Sequence, residues 1–185
     1  MEKGDPDIME HKPRPRNEPI INGSMRTGII VQTFAQTGAV LTAFCLGLSW
    51  ELTSHGFFPA AGQNSLAFLL QFNWSNIDLN VLRTAETMAF ITLSLCELFR
   101  AYTVRSERAS LFQIGVFSNR WMQYAVGVSI SLLTIVCIVP FFQEIFNTHW
   151  MSAIEFGTVL GLSIIPAISE EITKYFLRRN SAVSE

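Results

Sequence analysis

The sequence predicts an all-α membrane protein of four transmembrane helices with both termini in the cytosol, and three observations carry that prediction. Hydrophobic residues make up 49% of the 185-residue chain and charged residues 15%, where an average soluble domain carries about 25% charged residues. Two stretches, 28–50 and 121–143, contain no Asp, Glu, Lys or Arg, and each exceeds the about 20 apolar residues that carry a helix across a bilayer core. The third observation is where the basic residues fall. Twelve of the 13 lie in an amino-terminal arm (Lys3, Lys12, Arg14, Arg16, Arg26), a middle connection (Arg100, Arg105, Arg108, Arg120) and the tail (Lys174, Arg178, Arg179). The connections 51–82 and 143–150 have none. Four crossings place all three basic groups on one side, the positive-inside pattern. A soluble domain is excluded. So is a nucleic-acid partner, since the net charge is -2 and the basic residues serve topology. The implied environment is the lipid bilayer of a multi-pass protein.

The elements follow in order. Residues 1–27 read as an extended cytosolic arm, because Asp5-Pro6-Asp7 and Lys12-Pro13-Arg14-Pro15-Arg16 disfavour helix. No apolar segment typical of a signal peptide follows its charges. The first span is expected at about 28–50, with Trp50 suited to the membrane interface. Residues 51–80 form the longest connection. Its apolar piece 66–70 is too short to cross and reads as interfacial or re-entrant. The sequons at Asn22 and Asn73 are weak signals. The second span, about 81–103, is less pure, with Arg83 and Glu86 at one end, Arg100 at the other and Glu97 inside. A basic connection, 104–120, precedes the third span at about 121–142, which Pro140 bends or closes. A turn at 143–150 leads to the fourth span at about 151–172. The transmembrane domain is thus 28–179, and 180–185 is a terminal tail.

Two stripes of small residues, Ala39/Ala43/Gly47 and Ala153/Gly157/Gly161, predict close helix packing in lipid. Glu97 is the candidate site residue. A carboxylate on a membrane helix is costly and faces a partner or an ion path. The residues alone leave two readings even: an ion-site acid, or a structural pair with Arg100 at i+3. Glu86 lies eleven residues earlier on the same face and reads as solvated. Gln32 and Gln36, one turn apart, are expected to hydrogen-bond across to another helix. Thr92 and Ser94 are expected to satisfy backbone carbonyls. Glu170 and Lys174, at i,i+4, read as ordinary helix-end chemistry. Cys45, Cys96 and Cys137 lack metal-ligand spacing and read as small hydrophobes. The sequence holds no phosphate loop, HExxH, nucleophile elbow or CxxC, so neither a catalytic residue nor a bound cofactor is expected in this chain.

The run Glu2-Lys3-Gly4-Asp5-Pro6-Asp7-Ile8-Met9, then Pro13-Arg14 and Glu18-Pro19-Ile20-Ile21, resembles the cytosolic segment that opens the C-terminal membrane domain of type II cation-transporting P-type ATPases. Thr87-Met88-Ala89-Phe90, Glu97-Leu98-Phe99 and Ser110-Leu111-Phe112 continue it, and the resemblance covers essentially the whole chain. It implies helices seven to ten of such a pump, nearest to bacterial and secretory-pathway-type calcium pumps in a bacterial plasma membrane. It implies calcium as the transported ion, Mg-ATP used by the intact pump, and the pump's remaining helices and cytosolic domains as partners. It implies Glu97 as one metal ligand, the neighbouring Arg100 being a departure from the family pattern. A chain without the phosphorylated segment is expected to be a fragment or split-gene product, inactive toward ATP alone. The competing reading is a free-standing four-helix accessory subunit. A small channel is disfavoured, because one deep acid does not make a selectivity ring.

Overall fold

A computed structural model describes residues 21, 23–54, 82–105 and 111–183. Most of the arm, including its characteristic run, and the apolar piece at 66–70 lie outside the described residues. The described residues form six helices: α1 Gly23–Ser54, α2 Arg83–Thr103, α3 Leu111–Ile114, α4 Arg120–Ile138, α5 Pro140–Phe146 and α6 Ala153–Val183. No strand occurs among them.

Three helical segments are both long and apolar enough to cross a membrane: Met25–Ser54, Arg120–Ile138 and Ala153–Leu177. They correspond to the first, third and fourth expected spans. The second corresponds to α2, whose 21 residues reach about 31 Å at 1.5 Å per residue. Four charges, Arg83, Glu86, Glu97 and Arg100, lower its apolarity. The physical reason is its position: α2 packs against both α1 and α6, so much of its polar surface meets protein. Thr84, Thr87, Thr92 and Thr103 are all buried.

Pro140 acts as expected. It cannot donate to the helix ladder, so α4 stops at Ile138, Val139 is extended (φ -80, ψ 119), and Pro140 opens α5 at its first turn. Asn147 then closes α5 in the left-handed conformation, which Asn tolerates better than most residues. Asn119 starts α4 by accepting from the Met122 N–H at 3.2 Å. Ser152 and Glu155 form a reciprocal cap on α6: Ser152 N–H donates to Glu155 Oε2 at 2.7 Å, and Glu155 N–H donates to Ser152 Oγ at 3.4 Å.

The core joins α1, α2 and α6. Ala43, Met88, Ile91, Cys137, Met151 and Val159 form one buried cluster, and Leu48, Leu52 and Ala85 a second. The stripe on α1 performs as predicted, for Ala39 and Ala43 are buried and Gly47 lies against Ala85. The stripe on α6 does not: Ala153, Gly157 and Gly161 are exposed, and a Cβ on either glycine would meet nothing within 4 Å. That helix packs instead through Val159, Ser163, Pro166 and Lys174. Trp50 packs against the first core cluster, because α1 continues past it to Ser54.

The long helices alternate in direction. Met25, Arg100 and Lys174 border one pocket at one end. At the other, Thr84 Oγ1 donates to Glu51 Oε2 at 2.6 Å, and Arg83 Nε donates to the Thr148 carbonyl at 2.9 Å.

Candidate functional site

The packing of α1 on α2 brings Gln36 and Glu97 together. Small residues on α1 let the two backbones approach closely. Gln36 therefore reaches across, and its Nε2 donates to Glu97 Oε1 at 2.7 Å. Glu97 is exposed on the surface of the domain, and its Oε2 has no partner among the described residues. No ion pair joins it to Arg100. The structural alternative weighed from the sequence is therefore not the arrangement found, and a neutral amide holds the carboxylate instead. A charge on one acceptor makes such a bond stronger than a neutral one, and it leaves the second oxygen available.

Glu97 cannot hold a metal by itself. Among the described residues no three His, Cys, Asp or Glu side chains are grouped to do so, and calcium takes six to eight oxygen ligands. A calcium site that used this carboxylate would need further oxygen ligands from other elements.

The other candidates distribute as follows. Glu86 accepts from Asn147 Nδ2 and is exposed. Gln32, one turn from Gln36, is 5% exposed, and neither of its amide atoms finds a partner among the described residues, contrary to the cross-helix bond expected for it. Ser94 Oγ donates to the Phe90 carbonyl at 2.8 Å, as expected, whereas Thr92 Oγ1 is buried without a partner. Lys174 departs from its expected pairing. It is 5% exposed, donates to the Thr103 carbonyl, and pairs with Glu171 at 3.0 Å. Glu170 accepts from Thr103 Oγ1 at 2.6 Å instead. Glu171 lies three residues before Lys174 on α6, and the burial of the lysine makes both of its bonds necessary. Cys96 and Cys137 are buried; Cys45 is exposed on α1.

Sequence reasoning missed the polar clamp at the Arg83 end. Arg83 binds the Thr148 and Gln143 carbonyls. His149 Nδ1 lies 3.2 Å from Thr87 Oγ1, and its Nε2 lies 3.7 Å from Glu155. The capping-box spacing of Ser152 and Glu155 was its one local signal; Arg83 and Thr87 reach partners sixty or more residues away.

A family model described as "Cation transporting ATPase, C-terminus" matches residues 1–176. The chain belongs to that family. Apolar helices of membrane length within a member of this family make it a multi-pass integral membrane domain. It is 29% identical over 174 residues to a calcium-transporting ATPase 1 of Bacillus cereus, covering 92% of this chain and 18% of that protein. It is 29% identical over 166 residues to a calcium-transporting ATPase of Bacillus subtilis, covering 90% of this chain and 16% of that protein. It is also 32% identical over 113 residues to the human calcium-transporting ATPase type 2C member 1, covering 60% of this chain and 12% of that protein. The chain thus spans less than a fifth of the length of these relatives.

Proposed function

We propose that this chain is the C-terminal membrane domain of a calcium-transporting pump of the bacterial plasma membrane, and that Glu97 supplies one ligand to its ion site. The single observation that carries the reading is the Gln36–Glu97 pair. It presents a carboxylate oxygen on an outward-facing surface, unneutralised by Arg100. The similarity to calcium-transporting ATPases supports calcium as the ion. The remaining ligands and the use of Mg-ATP belong to other helices and to cytosolic domains of the pump. The α2 helix is the second of four crossings, its polar groups tolerated because α1 and α6 flank it. The termini face the cytosol, in accord with the positive-inside distribution.

The test is Glu97→Gln beside Arg100→Gln in the pump that carries this chain. Glu97→Gln keeps the side chain's shape and removes its charge. Apparent calcium affinity should fall roughly tenfold or more, a loss of about 1.4 kcal/mol, with melting temperature nearly unchanged. Arg100→Gln should leave calcium affinity in place. Unchanged affinity in Glu97→Gln, with both variants equally destabilised, would make the carboxylate structural.

A further inference from the structure

Where α1 begins and α2 and α6 end, a pocket of about 260 Å³ opens between the three helices. Two features of its wall have no use within the chain. Arg100 makes no side-chain hydrogen bond or ion pair among the described residues. Gln32, from α1, is buried with both amide atoms unpartnered, and an unmet buried amide is costly. The other charges are committed: Lys174 to Thr103 and Glu171, and Glu170 to Thr103. The pocket therefore carries one guanidinium and one amide without partners among the described residues, beside the Glu170 carboxylate, which a neutral hydroxyl holds. Much of the remaining wall is apolar, with Ile29, Val104 and Leu177 among its members.

We propose that this pocket seats the phosphodiester headgroup of an anionic phospholipid. A singly charged phosphodiester matches the one unpaired guanidinium, and Arg binds phosphate through paired N–H groups. Rotation of the Gln32 side chain brings its Nε2 to a second phosphate oxygen and meets the donor half of its hydrogen-bonding need. The apolar wall distinguishes the ligand from free phosphate: it suits the glycerol and first acyl carbons of an amphiphile. The leaflet is the one facing the basic arm and tail, where anionic lipids collect beside Lys and Arg.

The test uses the full chain in phosphatidylcholine nanodiscs, followed by thermal unfolding as phosphatidylglycerol replaces part of the phosphatidylcholine. Specific binding should raise the melting temperature of the wild type by about 5 °C. Arg100→Gln should lose most of that rise and Gln32→Leu a large part of it. Arg179→Gln, which removes an exposed tail cation, should keep it. Inorganic phosphate added to phosphatidylcholine discs should give no rise. Native mass spectrometry of the wild type should show retained phosphatidylglycerol in preference to phosphatidylcholine, an outcome independent of whether any variant folds. The proposal is overturned by equal retention of the two lipids, by an equal loss in Arg179→Gln, or by a matching rise with inorganic phosphate. It is also overturned if Gln32→Leu is more stable than wild type in every lipid, because the amide would then be an unmet polar group in a dry pocket.

Discussion

Replacing Gly47 by alanine adds one methyl group where α1 meets α2, and the structure sets the sign of the effect. The added Cβ would lie 2.8 Å from Ala85 Cα, 3.0 Å from Met88 Sδ and 3.2 Å from Ala85 N. Two of these three atoms are backbone, so no rotamer change relieves the contact. To reach the 3.4 Å at which ordinary contact begins, the helices must separate locally by roughly 0.6 Å. Ala85 and Met88 are 0% exposed, leaving no space into which they can shift. Overpacking of this kind costs about 1–3 kcal/mol, against a gain in helix propensity of at most about 1 kcal/mol for Gly→Ala. Set against the full propensity gain, the net expectation is a loss of up to about 2 kcal/mol. Gly38→Ala, on the same helix with nothing within 4 Å, is the matched control and should be neutral or stabilising. Reversible unfolding of the chain in bicelles measures both. Equal stability of Gly47→Ala and Gly38→Ala would refute the close approach of α1 and α2. It would also remove the packing that sets Gln36 opposite Glu97.

Other positions give equally direct tests. Lys174→Ala strips the Thr103 carbonyl and Glu171 of their partner, and thermal unfolding should show a loss of about 1–3 kcal/mol. Most of that loss belongs to the buried carbonyl, because the Glu171 side chain keeps 22% exposure to solvent. At the α6 cap the two bonds are unequal, 2.7 Å against 3.4 Å. Glu155→Ala should therefore cost about 1 kcal/mol and Ser152→Ala about 0.5 kcal/mol in the same measurement. For topology, a Cys45→Ala background is given a single cysteine at Glu144 or at Phe117, both exposed positions. A membrane-impermeant maleimide added outside intact cells should label the first and not the second, and the reverse pattern would invert the proposed orientation.

Much of the fold was legible because lipid and water impose simple demands on a chain. Uninterrupted apolar stretches announced α1 and α4. Pro140, lacking an N–H, marked the break after Ile138. The basic residues marked one end of the bundle, and the structure brings Arg100 and Lys174 together there. Glu97 stood out because a carboxylate in a membrane helix demands an explanation. Its partner was not legible. Arg100 at i+3 and Gln36 on another helix were both available, and only the close approach of α1 and α2 selected the amide. The same holds for Lys174: Glu170 and Glu171 were both within reach along the helix, and in the structure Glu170 takes the Thr103 hydroxyl while Glu171 takes the lysine. The two small-residue stripes make the point most directly. They look alike in sequence, yet Ala39/Ala43/Gly47 is a contact surface and Ala153/Gly157/Gly161 is not. In water, the apolar face of a helix identifies its buried side. In a bilayer the lipid is as apolar as a neighbouring helix, so composition specifies which segments enter the membrane, and only tertiary packing decides which face of each meets protein.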